Sequence, residues 1–159
     1  MFASDMHLSQ ARPDTAAAFL RALDEGIGAA RHLFLLGDLL DAWVGDDRLD
    51  APPADTVVGS LVDWLRAASA RGVAIYLQHG NRDFLIGPAF AARCGATLLP
   101  APVVVDLHGT PVLLTHGDAL CTDDTAYQAV RAQVRAADWQ TRFLAQPLND
   151  RLAQAQRMR

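Results

Sequence analysis

Two kinds of apolar pattern alternate along the chain. Apolar runs at residues 33–36, 73–77 and 103–105, and at 112–115 with a final Thr, predict buried strands. Apolar residues at helical spacing follow Pro13, recur over 57–65, and return after Thr122 and Pro147. A short helix is expected within 84–93, where Pro88 fits the first turn. Strands and helices that alternate in this order, with more helices at the end, predict an α/β sandwich.

Composition limits the class of protein. A chain of 159 residues that is 51% hydrophobic can bury one core and is most simply one domain. Its net charge of −4 argues against nucleic acid as a partner. It begins without the basic and apolar stretch of a signal peptide and has no run that could span a bilayer, so we expect a cytoplasmic protein. Cys94 and Cys121 have no disulfide or metal-site spacing.

Charge is unevenly distributed. From Tyr127 onward the sequence contains six Arg and two Asp, so this tail carries a net charge of +4 and the preceding residues carry −8. The tail also has an apolar stripe, formed by Trp139, Phe143, Leu144, Leu148 and Leu152. Such a stripe can pack on the body of the protein. Alternatively, apolar groups flanked by Arg can lie at a membrane surface. The sequence leaves both interpretations open.

Polar motifs follow three of the predicted strands, and another near the N-terminus is placed as if a short strand had just ended. They are Asp5-x-His7, Gly37-Asp38, Gly80-Asn81-Arg82-Asp83 and His116-Gly117-Asp118. Ligands bind at the carboxyl ends of strands in open α/β sheets, and Asp, His and Asn suit Mn²⁺, Fe²⁺ or Zn²⁺. The glycines allow sharp turns and the close approach of a substrate. One Gly-Asp pair could be an ordinary turn, but four such motifs in order indicate a two-metal phosphoesterase site.

These motifs resemble the signature of the calcineurin-like metallophosphoesterases, D-x-H, G-D-x-x-[DE], G-N-[HR]-[DE], H-G-[DH] and G-H-x-H. Within that superfamily, residues 36–47, 79–85 and 116–124 are similar to the enzymes that hydrolyse UDP-2,3-diacylglucosamine in lipid A biosynthesis. The resemblance implies an α/β fold with a β-sandwich flanked by helices in four layers (αββα). It further implies a metallophosphoesterase core at 1–126 and the start of a helical lid at 127–159.

The resemblance also implies a role for each site residue. Asp5 and His7 would bind one metal ion, Asn81 and His116 the second, and Asp38 would bridge the two. Three residues are expected to contact substrate, namely Asn81 and Arg82 at the phosphates and Asp124 at the nucleotide sugar. Asp41 is expected to orient the metal ligands without binding metal.

The implied reaction is hydrolysis of the UDP-2,3-diacylglucosamine diphosphate to 2,3-diacylglucosamine 1-phosphate (lipid X) and UMP. The nucleophile would be hydroxide held by two divalent cations, with Mn²⁺ as the expected metal, and no side chain would attack the phosphate. The implied location is cytoplasmic, peripheral at the inner membrane, where the lipid substrate lies. Nucleic acid is not an expected partner.

One family motif is absent. The sequence has no G-H-x-H and no histidine after His116, so each metal ion would keep three of its four protein ligands. This predicts a C-terminally truncated copy of a longer enzyme. The alternatives are an inactive remnant that binds metal or a partner without turnover, and a related metallophosphoesterase acting on other phosphoesters. The segments at 43–47 and 121–124 argue against the second alternative.

Several polar residues near the motifs are expected to have structural roles. Asp46, Asp47 and Asp50 are interpreted as a solvated loop. Asp83 and Asp118 are expected to hold their glycine turns by accepting hydrogen bonds from backbone N–H groups. The remaining histidines, which are assigned no metal, are expected at the surface, in a turn or beside a loop: His32, His108 and His79.

Overall fold

A four-stranded parallel sheet organises the protein. The computed structural model describes residues 1–52 and 54–157. The strands lie side by side in chain order and are β1 (Phe2–Ala3), β2 (His32–Leu36), β3 (Ala74–Gln78) and β4 (Ala96–Leu98). The crossover helices are α1 (Pro13–Ile27), α2 (Thr56–Ala70) and α3 (Pro88–Cys94). The predicted α/β class is thereby confirmed, and the sheet is parallel. The three-residue strand β4 was not predicted.

Local sequence explains where the crossover helices begin. Pro13 and Pro88 occupy the first turns of α1 and α3, where a missing N–H is not needed. Asp55 precedes α2, and its carboxylate accepts hydrogen bonds of 3.1 Å from the backbone N–H groups of Val57 and Val58. This satisfies two N–H groups that no helical carbonyl can reach.

The two faces of the sheet have different surroundings. Side chains that alternate along β2 and β3 point to opposite faces. Leu33, Leu35, Ile75 and Leu77 pack with the buried faces of the crossover helices in one hydrophobic core. On the other face Phe34 stacks between Phe2 and Tyr76, with ring centroids 4.8 Å apart on each side.

Strands β5 (Val103–Leu107) and β6 (Thr110–Leu114) form an antiparallel hairpin, as predicted. Its two-residue turn is His108-Gly109, with φ of 57° and 85°. Positive φ at both positions matches the twist of the flanking strands. His108 is therefore a turn residue, as expected. The described strands form this hairpin and the parallel sheet, so a complete four-layer sandwich is not seen within residues 1–52 and 54–157.

The C-terminal third is helical and comprises α4 (Thr125–Arg135), α5 (Ala137–Leu144) and α6 (Leu148–Arg157). Phe143 is buried in the core and stacks on Trp139, with ring centroids 4.8 Å apart. Leu148 and Leu152 pack partly against the same core. Most of the tail's apolar stripe therefore packs on the body, although Leu144 stays 41% exposed. None of the described helices has the length and apolar character needed to cross a bilayer.

Candidate metal centre

Loops that follow the strands bring the predicted metal-ligating residues together. Ligand atoms of Asp5, His7 and Asp38 all lie within 4.8 Å of one another. Nε2 of His116 lies 3.8 Å from Oδ1 of Asp38 and 3.2 Å from Oδ1 of Asn81. Five side chains from four separate segments therefore form one cluster.

Asp38 lies at the middle of this cluster. Its Oδ2 is 3.7 Å from Nε2 of His7, and its Oδ1 faces His116 on the other side. Atoms that share a cation at about 2.1 Å are roughly 3–4 Å apart, so these spacings are compatible with divalent cations on both sides of the carboxylate. The Asp, His and Asn donors are also of the type that binds Mn²⁺, Fe²⁺ or Zn²⁺. The residues present therefore fit a metal centre.

The backbone is strained at three of these residues. Asp5, His7 and Asp38 have φ of 60°, 48° and 51°, in the left-handed region that non-glycine residues rarely adopt. Each such residue costs about 1–3 kcal/mol, and this strain is commonly found at functional sites. Backbone hydrogen bonds hold the first two in place, from Asp5 N–H to Gly37 O at 3.1 Å and from His7 N–H to Asp38 O at 2.9 Å.

Glycine lets the loops of the site approach one another. A Cβ at Gly37 would lie 2.6 Å from Cα of Gly80 and 2.7 Å from Nδ1 of His116. A Cβ at Gly80 would overlap the carboxylate and backbone of Asp38. The sequence suggested that these glycines make room for a substrate. In the structure they make room for neighbouring protein loops.

Asp83 joins two of the motifs. Its side chain is fully buried and accepts hydrogen bonds of 2.8 Å from the backbone N–H groups of Gly80 and Leu39. Longer hydrogen bonds come from the N–H groups of Asp38 and Leu40, at 3.3 and 3.4 Å. Burial raises the pKa of this carboxyl, while the N–H donors act in the opposite direction. Asp83 thus holds its glycine turn as predicted, and it holds the preceding motif as well.

Asp118 has a different role from the one predicted. Its Oδ2 accepts hydrogen bonds from side chains of α4, from Nε of Arg131 at 2.7 Å and from the hydroxyl of Tyr127 at 2.9 Å. Burial alone would raise the pKa of Asp118, but these hydrogen bonds and the Arg131 charge outweigh it and lower the pKa. The expectation of hydrogen bonds to the backbone of its own turn was wrong, because α4 supplies stronger charged donors.

A cavity of about 320 Å³ opens beside the cluster. Asn81 and Arg82 line it together with Asp41, and the opposite wall comes from α4 and α5, including Tyr127, Val130, Arg131, Val134, Arg135 and Trp139. The backbone N–H of Arg82 donates to Oδ1 of Asp38 at 2.8 Å, and its side chain is exposed. Two of the three predicted substrate contacts therefore border one cavity.

Asp124, the third predicted substrate contact, does not line this cavity. It precedes α4, and its Oδ1 accepts a hydrogen bond of 2.9 Å from the backbone N–H of Tyr127. Asp124 therefore caps the helix that the sequence predicts after Thr122. Its carboxylate remains exposed.

Asp47 and Asp50 are exposed to solvent, as expected of this loop, but all three carboxylates, including that of Asp46, also have partners in the protein. Asp46 accepts hydrogen bonds from Nε1 of Trp43 at 3.0 Å and from the backbone N–H of Phe90 at 2.8 Å, so it caps α3 from a distant loop. Asp47 pairs with Arg151 of α6, which is only 2% exposed, and Asp50 pairs with Arg93. Apart from Trp43, these partners lie 41 or more residues away along the chain, so no local pattern revealed the contacts with them.

Comparison with known proteins finds relatives that match the whole chain. No protein-family model matches the chain. It is 49% identical to UDP-2,3-diacylglucosamine hydrolase of Stenotrophomonas maltophilia (strain K279a) and 47% identical to the proteins of that name from Xanthomonas campestris pv. campestris (strain B100) and Cellvibrio japonicus (strain Ueda107). Each match covers 100% of this chain and 62%, 62% and 64% of the respective relative. The chain is therefore similar over its whole length to proteins named UDP-2,3-diacylglucosamine hydrolase, and it spans less than two thirds of their length.

Proposed function

We propose that this chain takes part in lipid A biosynthesis by hydrolysing the diphosphate of UDP-2,3-diacylglucosamine to 2,3-diacylglucosamine 1-phosphate and UMP. The observation that carries the proposal is the convergence of Asp5, His7, Asn81 and His116 around the buried Asp38. The relatives' name, UDP-2,3-diacylglucosamine hydrolase, supports the choice of substrate.

In this proposal five side chains would hold two divalent cations, Mn²⁺ by family expectation. Asp5 and His7 would hold one cation, Asn81 and His116 would hold the other, and Asp38 would serve both. When bound, such a pair supplies Lewis acidity towards phosphate oxygens and lowers the pKa of water. The carboxylate of Asp41, beside the cavity, orients the ligands.

Arg82 and Asn81 bind the diphosphate. The planar guanidinium of Arg82 can donate two parallel hydrogen bonds to a phosphate, and its exposed side chain lines the cavity next to Asn81. Asn81 is neutral, so it can bind a metal ion without adding a negative charge that would repel an anionic substrate. Asp124, at the start of α4, would contact the nucleotide sugar from outside the cavity.

The cavity wall suits a lipid substrate. Val130, Val134 and Trp139 give it an apolar surface beside Arg131 and Arg135, and this combination suits acyl chains next to an anionic headgroup. The basic tail would bring the chain to the cytoplasmic face of the inner membrane as a peripheral protein.

Vesicle sedimentation tests the membrane location. Arg142 and Arg157 are exposed, and replacing both with Gln lowers the tail charge from +4 to +2. We expect the chain to sediment with phosphatidylglycerol vesicles and the double variant to sediment less. Equal sedimentation of the two proteins would contradict this location.

The proposed architecture has a metallophosphoesterase core at 1–126 and the start of a helical lid at 127–159. Parallel sheets are usually covered on both faces. The stacked rings of Phe2, Phe34 and Tyr76 therefore mark the face on which the second sheet of a four-layer αββα sandwich would pack.

One observation favours a second candidate, a protein that binds metal without turnover. Within these 159 residues no histidine follows His116, so this chain by itself would supply each cation with three protein ligands. Incubation with UDP-2,3-diacylglucosamine and Mn²⁺ separates the two candidates. UMP release that disappears in Asp38→Asn supports the hydrolase, whereas Mn²⁺ binding without UMP release supports the second candidate.

A further inference from the structure

Arg135, the last residue of α4, reaches the turn that carries Asn81. One terminal nitrogen of its guanidinium donates a hydrogen bond of 2.8 Å to the carbonyl oxygen of Gly80. The N–H of the same glycine is held by Asp83 at 2.8 Å. Gly80 is thus fixed through both backbone groups, and the peptide bond that Arg135 contacts leads directly into Asn81.

The guanidinium of Arg135 is itself held from other sides. The nitrogen that contacts Gly80 lies 3.7 Å from Oδ2 of Asp118, which also accepts the hydrogen bond from Arg131. The guanidinium carbon lies 5.3 Å from the ring centroid of Phe84, a distance at which a cation is attracted to an aromatic face. The side chain is 22% exposed, so water competes little with these contacts.

These contacts join two loops of the candidate metal centre. Asp118 lies two residues after His116, and Gly80 immediately precedes Asn81. The side chains of His116 and Asn81 approach each other to 3.2 Å. Arg135 therefore links the backbone on one side of this pair to the carboxylate on the other.

We propose that Arg135 is a positioning residue for the metal centre. It ties helix α4 to the Asn81 turn and to the His116 loop, and thereby keeps these two ligands at the spacing that a shared cation needs. This inference rests on the proposed metal centre. It goes further because it assigns a second role to α4, which lines the cavity and, through Arg135, would also hold the metal ligands in position.

A positioning role and a purely electrostatic role of Arg135 predict opposite changes in metal affinity when the side chain is removed. A fixed positive charge near a divalent cation repels it, so an Arg135 that acted only by charge would weaken metal binding, and its removal would strengthen it. Loss of a side chain that orients ligands typically weakens metal binding by about 10- to 100-fold. The sign of the change in Mn²⁺ affinity therefore separates the two roles.

The experiment is a titration of the 159-residue chain with MnCl₂, with free Mn²⁺ measured by electron paramagnetic resonance. Arg135→Gln removes both the positive charge and the planar guanidinium group, whereas Arg135→Lys keeps the charge and loses the planar group. Arg142→Gln is the matched control, since Arg142 is 69% exposed and pairs with Asp138 on the surface. Thermal unfolding without metal checks that each variant folds.

We expect Arg135→Gln and Arg135→Lys to bind Mn²⁺ about tenfold more weakly than wild type, and Arg142→Gln to match wild type. Equal or tighter binding by Arg135→Gln overturns the positioning role, and if that variant does not fold, Arg135→Lys decides in the same way. A wild-type chain that takes up no Mn²⁺ overturns the metal centre itself, an outcome distinct from a failure of Arg135 alone.

Discussion

The carboxylate of Asp83 accepts a hydrogen bond of 2.8 Å from the backbone N–H of Leu39, 44 residues earlier in the chain. Through this contact one buried side chain fastens the loop after β2 to the loop after β3. Each loop carries one of the proposed metal ligands, Asp38 and Asn81. The geometry of the candidate centre therefore depends on a residue that is assigned no ligand role.

Replacing Asp83 with Asn should lower the free energy of unfolding by about 3 kcal/mol. The carboxylate receives four N–H donors, whereas an amide has one oxygen and would turn its NH₂ group towards some of them. Urea denaturation measures the change. Asp63→Asn is the control, because Asp63 is 69% exposed and should change stability by less than about 0.5 kcal/mol. Equal effects of the two substitutions would contradict the role of Asp83 in holding the loops after β2 and β3 together.

Arg82→Ala should lower UMP release from UDP-2,3-diacylglucosamine by about 10- to 100-fold, because a charged donor to the phosphate is lost. Its affinity for Mn²⁺ should not change, since Arg82 contacts Asp38 through its backbone N–H, which alanine retains. Arg66→Ala, at a residue 64% exposed, serves as the control for loss of a positive charge. Loss of Mn²⁺ binding in Arg82→Ala would contradict a role confined to substrate.

The two cysteines should differ in reactivity. Burial raises the pKa of Cys94 to about 12, so its thiolate is scarce at neutral pH, whereas Cys121 is exposed. A disulfide reagent should therefore titrate one thiol in the folded protein and a second only after unfolding in guanidinium. The variant Cys121→Ser should lose the fast phase. If two thiols of the native protein reacted rapidly with the reagent, the result would show that the protein opens readily around Cys94.

The ion pair between Asp47 and Arg151 should make stability depend on pH. The hydrogen bond from Arg151 holds the pKa of Asp47 below its ordinary value, burial acts in the opposite direction, and the Arg151 charge adds to the lowering. A lowered pKa in the folded state stabilises the protein above the unfolded value of about 4, and this stabilisation is lost as pH falls through the folded pKa.

Unfolding in urea between about pH 7 and about pH 3 tests this ion pair by comparing wild type with Asp47→Asn. The difference in free energy of unfolding should be constant above about pH 5 and shrink below about pH 4. A difference that grows as the solution becomes more acidic would have the wrong sign for this pair.

Much of the fold could be predicted because its signals are local. The apolar run before Gly37 and the run before His79 gave β2 and β3, and Pro13 marked the start of α1. Strand β4 has only three residues, too few to show a period of two. The buried Arg151 could not be predicted either, because its surroundings depend on packing between α6 and a loop more than a hundred residues away.

The candidate site was likewise predictable only in part. Asp38 and His116 each follow an apolar run, so strand ends alone indicated which side chains would gather. The contacts that hold them there do not have a sequence signature, as with Asp118, which binds side chains of α4 and not its own turn. Tertiary partners supplied the stronger donors, and only the folded structure identifies them.

Anomalous scattering from crystals soaked in MnCl₂ tests the metal centre most directly. We expect two Mn²⁺ peaks in coordination contact with the Asp38 carboxylate, one shared with Asp5 and His7 and the other with Asn81 and His116. The Asp38→Asn protein should lose occupancy at both. Mn²⁺ peaks elsewhere, or none touching Asp38, would contradict the proposed two-metal centre.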